Sequence, residues 1–476
     1  MSDAVYTPPP GSIPTLEVPD LERVCRVHMI GIGGAGMRNL AKLLLARGIE
    51  VSGSDLKDSK GLRELSASGA SAWVGHDAAR LGDPDAVVIS SAIGERNAEL
   101  AAARDRRIPV WARAQVLAAA GAGRRVIAVA GTHGKTTTTS MLAVILERAG
   151  LDPTFVIGGD LNEIGSGARA GAGDLFVAEA DESDGSFLLP QAAIGIVTNI
   201  EVDHVDFYPG GAPEIEGAFA AFMQRSEVVV ACGDDPGVRA SAALAAREVV
   251  TYGIGAVNDV RVVIEREGPG GARGTVAPVG EEPVQVELTV DGAHMMLNAA
   301  AALTAAGLVG VPAADAAGAL ASFQGVRRRF EHRGTVRGAE FYDDYGHVPT
   351  ELAVTLGVAR GTAPRRLVAV FQPHRYSRTQ ALWRELGASL TEADVVVVTD
   401  VYGAAQEPIP GVTGKLVVDG VAEASRRPRI VYLPHRPDVA RFLEREVRAG
   451  DLVLTMGCGD VWMLGDEAIE RIREAG

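Results

Sequence analysis

The run Ala130-Gly131-Thr132-His133-Gly134-Lys135-Thr136-Thr137 places glycines, a lysine and neighbouring hydroxyls in an order suited to phosphate. Glycines let the backbone curl so that successive N–H groups converge on an anion, and a helix starting there adds its positive end. Lys135 can reach the β and γ phosphates of ATP, and Thr136 can offer its hydroxyl to Mg²⁺. The full G-x-x-x-x-G-K-[ST] spacing is not met, because Val129 stands where its first glycine belongs. The context supplies what the spacing lacks: an apolar strand over Val126 to Ala130 precedes the loop, and a helical stretch from Thr138 to Arg148 follows it. The reading is ATP binding by Gly131, Thr132, His133, Gly134, Lys135, Thr136 and Thr137.

Two acidic clusters follow downstream, Glu179-Ala180-Asp181-Glu182-Ser183-Asp184 and Glu201-Val202-Asp203-His204-Val205-Asp206. Each comes after an apolar strand-like run, Leu175 to Ala178 and Ile194 to Val197. In an α/β sheet the carboxyl ends of the strands share one edge, so both clusters can meet the phosphate loop there. Acids in an acidic protein are usually solvated loop residues. Two clusters after successive strands, behind a phosphate loop, favour hard-oxygen ligands for Mg²⁺, with an imidazole tolerated.

A second glycine loop lies near the start. Gly31-x-Gly33-x-x-Gly36 follows the strand Val27 to Ile30 and opens a helical stretch to Arg47, and Asp55 stands about 20 residues on. That is the dinucleotide fingerprint, and by itself it suggests NAD and an oxidoreductase.

The elements that must carry these loops are strands alternating with helical segments, with further buried strands at Leu367 to Phe371 and Val395 to Val398. This alternation gives α/β domains with parallel sheets. A length of 476 residues suggests about two to four domains. Gly121-Ala122-Gly123 reads as one linker, and a second boundary falls near Phe330 to Arg337, before a strand at Ala339 to Tyr342. The expected division is a flexible Pro-rich extension over 1–24, then domains over 25–122, 123–331 and 332–476. Val260 to Val290 alternates apolar and polar residues, as an antiparallel hairpin or small sheet within the middle domain does.

Composition narrows the class. A formal net charge of −15 with only short, scattered basic runs argues against nucleic acid as a partner. No apolar stretch approaches bilayer-spanning length, and the N-terminal residues lack the basic start and apolar centre of a signal peptide. Cys25, Cys232 and Cys458 are remote from one another in sequence and make no C-x-x-C pair, which fits a reducing compartment. The cytoplasm is the simplest placement, without membrane insertion; the sequence leaves oligomeric state open.

Taken together, the motifs G-I-G-G-A-G-M, G-T-H-G-K-T-T, E-A-D-E-S-D, T-N-I-E-x-D-H-x-D, H-x-x-L-N-A, R-R-F-E, D-D-Y-G-H and Q-P-H-R-Y-S-R-T resemble those of the Mur ligase family. They keep the family's order from Gly31 to beyond Arg378. The resemblance implies three domains: an N-terminal Rossmann-like domain for a UDP-sugar, a central P-loop ATPase-type domain and a C-terminal Rossmann-like domain. It is greatest to the members that use L-alanine. It implies that ATP and Mg²⁺ (or Mn²⁺) convert the carboxylate of UDP-N-acetylmuramate to an acyl phosphate. The amine of L-alanine then attacks, in the synthesis of peptidoglycan precursors. Another member, such as the one that attaches a preformed tripeptide to UDP-N-acetylmuramate, is the nearest alternative.

Carried over by position, the resemblance gives Lys135 the γ-phosphate and Thr136, Glu179 and His204 the metal. His294 and Asn298 face adenine, and Arg328 and Asp344 the nucleotide's phosphate and ribose. Tyr345, His347, Arg375 and Arg378 hold alanine and the reacting centre, so the catalytic set is Lys135, His204, His347, Arg375 and Arg378. At the first loop it replaces NAD by the UDP-sugar, held by Gly31, Gly33, Gly34, Ala35, Gly36, Ser54, Asp55, Ser90 and Ser91. The chain also departs from the family. Val348 stands where D-D-Y-G-H-H-P has its second histidine, and Cys458 interrupts a G-A-G-D pattern, where it reads as a small buried residue in a tight turn.

Overall fold

A computed structural model describes residues 17–475 except Ser91, Glu163, Pro190, 204–206, Pro269, Ala405, Ser425 and Arg427. Its strands form three sheets. The first contains β1 (Arg26–Ile30), β2 (Glu50–Asp55), β3 (Ser71–Val74), β4 (Ala86–Ile89) and β5 (Val110–Ala112). All neighbours are parallel, in the order β3-β2-β1-β4-β5. The order reverses between β1 and β4, so the carboxyl ends of those two strands open a crevice at the sheet edge. Apolar side chains cover both faces, around Leu40 and Leu65 on one and Leu81 and Leu100 on the other.

The second sheet contains β6 (Arg125–Ala130), β7 (Thr154–Val156), β8 (Ala168–Arg169), β9 (Leu175–Glu179), β10 (Ile194–Val197), β11 (Val228–Cys232), β12 (Val250–Gly253), β13 (Val260–Arg266), β14 (Ala272–Ala277) and β15 (Val284–Leu288). Its order is β15-β14-β13-β12-β11-β10-β6-β9-β7-β8. Strand β6 lies between β9 and β10, parallel to both. The stretch Val260 to Val290 is antiparallel, as its alternation indicates, but it is no separate sheet. β13 joins β12 in parallel and β14 and β15 continue the same sheet to its edge.

The third sheet contains β16 (Glu331–Val336), β17 (Ala339–Asp344), β18 (Arg366–Phe371), β19 (Val395–Val398), β20 (Arg429–Tyr432) and β21 (Asp451–Met456). The order is β16-β17-β21-β18-β19-β20, parallel except for β16. Strand β16 precedes the strand expected from Ala339, and no apolar pattern announces it. Its residues Glu-His-Arg-Gly-Thr-Val are mostly polar, which an edge strand tolerates and a buried strand does not. By contrast β4, β10 and β19 are apolar and buried throughout, as strands covered on both faces must be.

The chain thus has the three-domain α/β architecture that its alternating elements imply. By contact it divides into two compact units, one running to Gln324 (less Gly268–Gly270) with the first two sheets, the other Gly325–Gly476 with the third. The break falls at Gln324/Gly325, ahead of the expected 331, and Glu331 already belongs to β16. No described helix is long and apolar enough to cross a membrane.

Candidate active site

The phosphate loop joins the end of β6 to a helix over Lys135–Arg148. Gly131 has φ +135° and Gly134 φ +80°, a region that L side chains rarely adopt. Space is equally restrictive: a Cβ on Gly131 would lie 2.0 Å from Thr198 Oγ1, and one on Gly134 2.6 Å from Asn298 Oδ1. Gly134 caps the helix without a side-chain acceptor, so the first-turn N–H groups face the loop mouth. Segments from β10 brace the loop. Asn199 Oδ1 accepts from His133 N–H (2.8 Å), Thr198 Oγ1 donates to His133 O (2.5 Å), and Asn199 O accepts from Thr132 N–H (3.0 Å).

Lys135 Nζ lies against Glu182 (2.8 and 3.1 Å) and the carbonyls of Gly131 (2.5 Å) and Thr132 (3.2 Å). Burial alone would pull this ammonium down, but Glu182, Asp181 and Glu179 outweigh it and hold it above the ordinary lysine value. Glu179 ends β9 in register with Val129, and its Oε1 accepts from Gly158 N–H at 2.6 Å. The acidic run from Glu179 and the Glu201 carboxylate, 3.2 Å from His133 Nε2, therefore flank the phosphate loop, because β9 and β10 flank β6.

At the first glycine loop, Gly31 and Ile32 donate to Ser54 O (2.8 and 3.1 Å), and Asp55 Oδ2 accepts from Gly33 N–H (2.9 Å). Gly34 and Ala35 are exposed at the helix start, and Arg113 Nη1 stands 3.2 Å from where a Gly36 Cβ would be. The same Arg113 comes within 3.7 Å of Asp181. Ser54 turns inward instead. It is fully buried, its hydroxyl donates to Glu99, and its Oγ lies 2.7 Å from His76 Nδ1. Ser90 follows β4 next to this loop; Ser91 lies outside the described residues.

In the third sheet, β17, β21 and β18 are neighbours, and their carboxyl ends deliver Tyr345 to His347, Gly457 to Cys458, and Gln372 to Arg375 to one edge. Arg328 contacts Asp343 (3.0 Å) and Gly457 O (2.6 Å). Asp344 is engaged internally, accepting from Phe330 N–H, Gly346 N–H and the Thr355 hydroxyl. Burial pushes the Asp344 carboxyl up, and pushes the Tyr345 phenol up to about 12. Arg328 and Arg375 both adopt left-handed backbone conformations (φ +62° and +63°), strain that surrounding structure must impose. Arg378 is buried and donates to His374 Nδ1 at 3.2 Å.

Comparison with known proteins decides the family. Residues 26–125 match the Mur ligase family, catalytic domain; 129–306 the Mur ligase middle domain; and 328–459 the Mur ligase, glutamate ligase domain. A UDP-N-acetylmuramate–L-alanine ligase of Saccharopolyspora erythraea is 48% identical over 465 residues, 95% of this chain and 94% of that protein. The chain belongs to the Mur ligase family. A protein of the same name from Rubrobacter xylanophilus is 47% identical, over 94% of this chain and 100% of that one. Among solved structures, UDP-N-acetylmuramate-alanine ligase of Thermotoga maritima aligns with TM-score 0.82 and 27% identity, covering 95% of this chain and 100% of that one. A murein peptide ligase of Psychrobacter arcticus aligns with TM-score 0.75 and 26% identity, covering 94% and 98%.

Within this Mur ligase the central residues converge. Gly131 to Thr137 and Glu179 share the β6 edge, while His294 and Asn298 lie in the first turns of the helix Ala293–Gly307, whose Asn298 accepts from Thr138 (3.3 Å). His204 lies outside the described residues. Tyr345, His347, Arg375 and Arg378 gather in the other unit at the edge of β17 and β18. Sequence reasoning passed over Glu182, Asn199 and Arg113 as individual residues. Glu182 stood inside a recognised acidic run, yet nothing in the spacing tells which carboxylate meets the lysine. Arg113 had no signal, since its role follows from β5 lying next to β4.

Proposed function

We infer that this Mur ligase uses ATP to join L-alanine to the carboxylate of UDP-N-acetylmuramate, giving UDP-N-acetylmuramoyl-L-alanine, ADP and phosphate. The observation that carries the reading is a lysine ammonium held at the mouth of a glycine loop between two acid-bearing strand ends. Near-full-length identity of 45–48% to relatives named for that activity supports the choice of substrates. In this reading 25–122 holds the UDP-sugar, 123–331 holds ATP, and 332–476 presents the amino acid.

A carboxylate is a poor acyl donor, so the γ-phosphoryl group is transferred to it first. The backbone N–H groups from Gly131 to Thr136 cradle the phosphates, and Lys135 leaves Glu182 to neutralise the group in transfer. Mg²⁺ (or Mn²⁺) suits the hard oxygens of Thr136 and Glu179 beside Asp181 and Glu182, and when bound it neutralises phosphate charge. Arg375 and Arg378 pair with the amino acid's carboxylate, for which a planar guanidinium fork is well matched. His347, with Nδ1 3.1 Å from Tyr345 O and 3.4 Å from Glu351, is placed to take a proton from the attacking amine. The remaining rate advantage is orientation of the two reactants.

The test is phosphate release with UDP-N-acetylmuramate and, in turn, L-alanine, glycine, L-serine or the tripeptide used by murein peptide ligases. Turnover is expected to be fastest with L-alanine. Turnover with the tripeptide alone would overturn the substrate assignment in favour of the peptide-attaching branch. Tight NAD(H) binding without response to the UDP-sugar would overturn the ligase reading; the Asp55 oxygen engaged by Gly33 N–H already speaks for an anchored loop.

A further inference from the structure

Three side chains at the carboxyl edge of the third sheet bring two imidazoles and a thiol together. His347 follows β17, His374 follows β18 and Cys458 follows β21. Because β21 pairs with both β17 and β18, the three loops are neighbours. One ligand atom from each residue lies within 4.8 Å of the others, and all three residues are half-buried. The rings of His347 and His374 sit edge to face with centroids 5.7 Å apart.

We propose that His347, His374 and Cys458 form a binding site for a borderline-soft divalent cation, Zn²⁺ foremost, with its fourth position open. Two imidazoles and a thiolate are the donor set that selects Zn²⁺ over Mg²⁺, and three protein ligands with an open position is a recurrent zinc arrangement. Tetrahedral coordination with Zn–S near 2.3 Å and Zn–N near 2.0 Å puts ligand atoms about 3.3–3.6 Å apart. The cluster therefore has to contract by up to about 1.5 Å, within the reach of side-chain rotation.

The surroundings resemble the outer shell of a zinc site. His347 Nδ1 faces Tyr345 O at 3.1 Å and the Glu351 carboxylate at 3.4 Å, and Glu351 also accepts from His347 N–H at 2.9 Å. A proton on Nδ1 directed at these acceptors leaves the lone pair on Nε2, and a carboxylate behind the ring raises its basicity toward a metal. At His374, Nδ1 accepts from Arg378 at 3.2 Å, so a cation taking that lone pair displaces the guanidinium. Burial pushes the Cys458 thiol up to about 12 in spite of Arg378 and Arg328. Uncomplexed, it is neither a nucleophile nor easily oxidised at neutral pH, because the thiolate is the reactive form. A bound cation ionises it by displacing its proton to solvent.

The site also has a consequence for turnover, which rests on the assignment of His347 and Arg378 to the amino acid. A cation held there occupies His347 and draws Arg378 away, so Zn²⁺ inhibits ligation and L-alanine relieves the inhibition.

The experiment uses the full, reduced chain with Co²⁺ as spectroscopic probe and Zn²⁺ as competitor. One equivalent of Co²⁺ is expected to give a thiolate-to-cobalt charge-transfer band and intense visible d–d bands, both abolished by Zn²⁺ and untouched by excess Mg²⁺. Cys458→Ala should lose the charge-transfer band, while Cys25→Ala and Cys232→Ala keep it. Loss of a ligand should weaken Zn²⁺ binding by more than the ~10–100-fold typical of outer-shell changes. His374→Gln should do likewise, which guards against a folding defect in either variant alone. Absence of the charge-transfer band, or its persistence in Cys458→Ala, overturns the site. In turnover assays Cys458→Ala should resist Zn²⁺; equal inhibition of both proteins places the effect at the magnesium ligands and overturns the inhibitory role. A Cys458-dependent band with no effect on turnover supports the metal site and overturns instead the placement of the amino acid.

Discussion

Replacing Glu182 by glutamine tests the resting state of the phosphate loop. The Glu182 carboxylate is 4% exposed and lies 2.8 Å from Lys135 Nζ. Removing one partner of a buried ion pair costs about 3–5 kcal/mol, because the other charge stays buried. Here the ammonium keeps the carbonyls of Gly131 and Thr132, the nearby charges of Asp181 and Glu179, and a side chain 16% exposed to water. The expected loss in the absence of nucleotide is therefore about 2–3 kcal/mol. Nucleotide reverses the sign of the effect. In the parent chain ATP must draw Lys135 off Glu182, whereas in Glu182→Gln the phosphate meets an ammonium relieved of its nearest carboxylate. Each 1.4 kcal/mol recovered is about a tenfold gain in affinity. Urea unfolding with and without ATP, combined with calorimetric titration of ATP, reads both quantities. A double-mutant cycle with Lys135→Met isolates the pair. Coupling below about 0.5 kcal/mol, or ATP affinity equal to or weaker than the parent's, would refute the competition between Glu182 and phosphate.

Gly134→Ala places a Cβ 2.6 Å from Asn298 Oδ1 at φ +80°, and left-handed backbone alone costs about 1–2 kcal/mol. ATP binding should weaken at least about tenfold while UDP-sugar binding, measured calorimetrically, is retained; loss of both would show global damage. Glu179→Ala removes an oxygen proposed for the metal and the acceptor for Gly158 N–H, so the Mg²⁺ titration of turnover should move sharply upward, and an unchanged titration removes Glu179 from the site. Burial raises Asp343 from 3.8 to about 6 against the opposing pull of Arg328, so its folded form holds a proton that its unfolded form releases. Its contribution is complete below pH 3.8 and is lost as pH rises through 6, a change of about 3 kcal/mol. The urea midpoint should fall across that window and fall less in Asp343→Asn; identical pH profiles would count against it.

The legible part of the fold was the part governed by short-range rules. Apolar runs such as Val395 to Val398 announce buried strands, and glycine loops between strand and helix announce anion sites. The strand-edge argument also brought both acidic clusters to the phosphate loop before any pairing was known. What escaped depends on sheet order. That Arg113 reaches both Gly36 and Asp181 requires β5 beside β4 and the helix after it against β9 residues, which no local pattern encodes. Strand β16 escaped because polar edge strands lack the periodic signal of a core. Val348 was visible as a departure, but its meaning was not: it is 5% exposed and caps the helix Pro349–Gly361, so it packs inside and supplies no polar group. Cys458 in turn was read as a buried turn residue, whereas it is half-buried beside two imidazoles.

The three candidate loops share one physical device, and it sharpens which residues touch ligand. In each, a side chain at a strand end holds a backbone N–H of the loop: Asp55 holds Gly33, Asn199 holds His133, and Asp344 holds Gly346. A loop rich in glycine has many conformations to lose on binding, and an anchored N–H removes part of that loss beforehand, which is how preorganisation raises affinity. The resemblance implies that Asp55 and Asp344 face nucleotides, yet their oxygens are already engaged internally: Asp344 accepts from three donors, and Asp55 accepts from Gly33 and, through its other oxygen, from Lys57 N–H. Removing the polar atoms impairs either kind of residue, but an anchoring residue acts only through the loop that its hydrogen bond holds in place. In the proposed function the glycine loops therefore serve as the binding surfaces, with the acids behind them setting their shape. Lys135 is the exception, since its polar atom lies at the loop mouth and its partner Glu182 is the one contact that a phosphate has to replace.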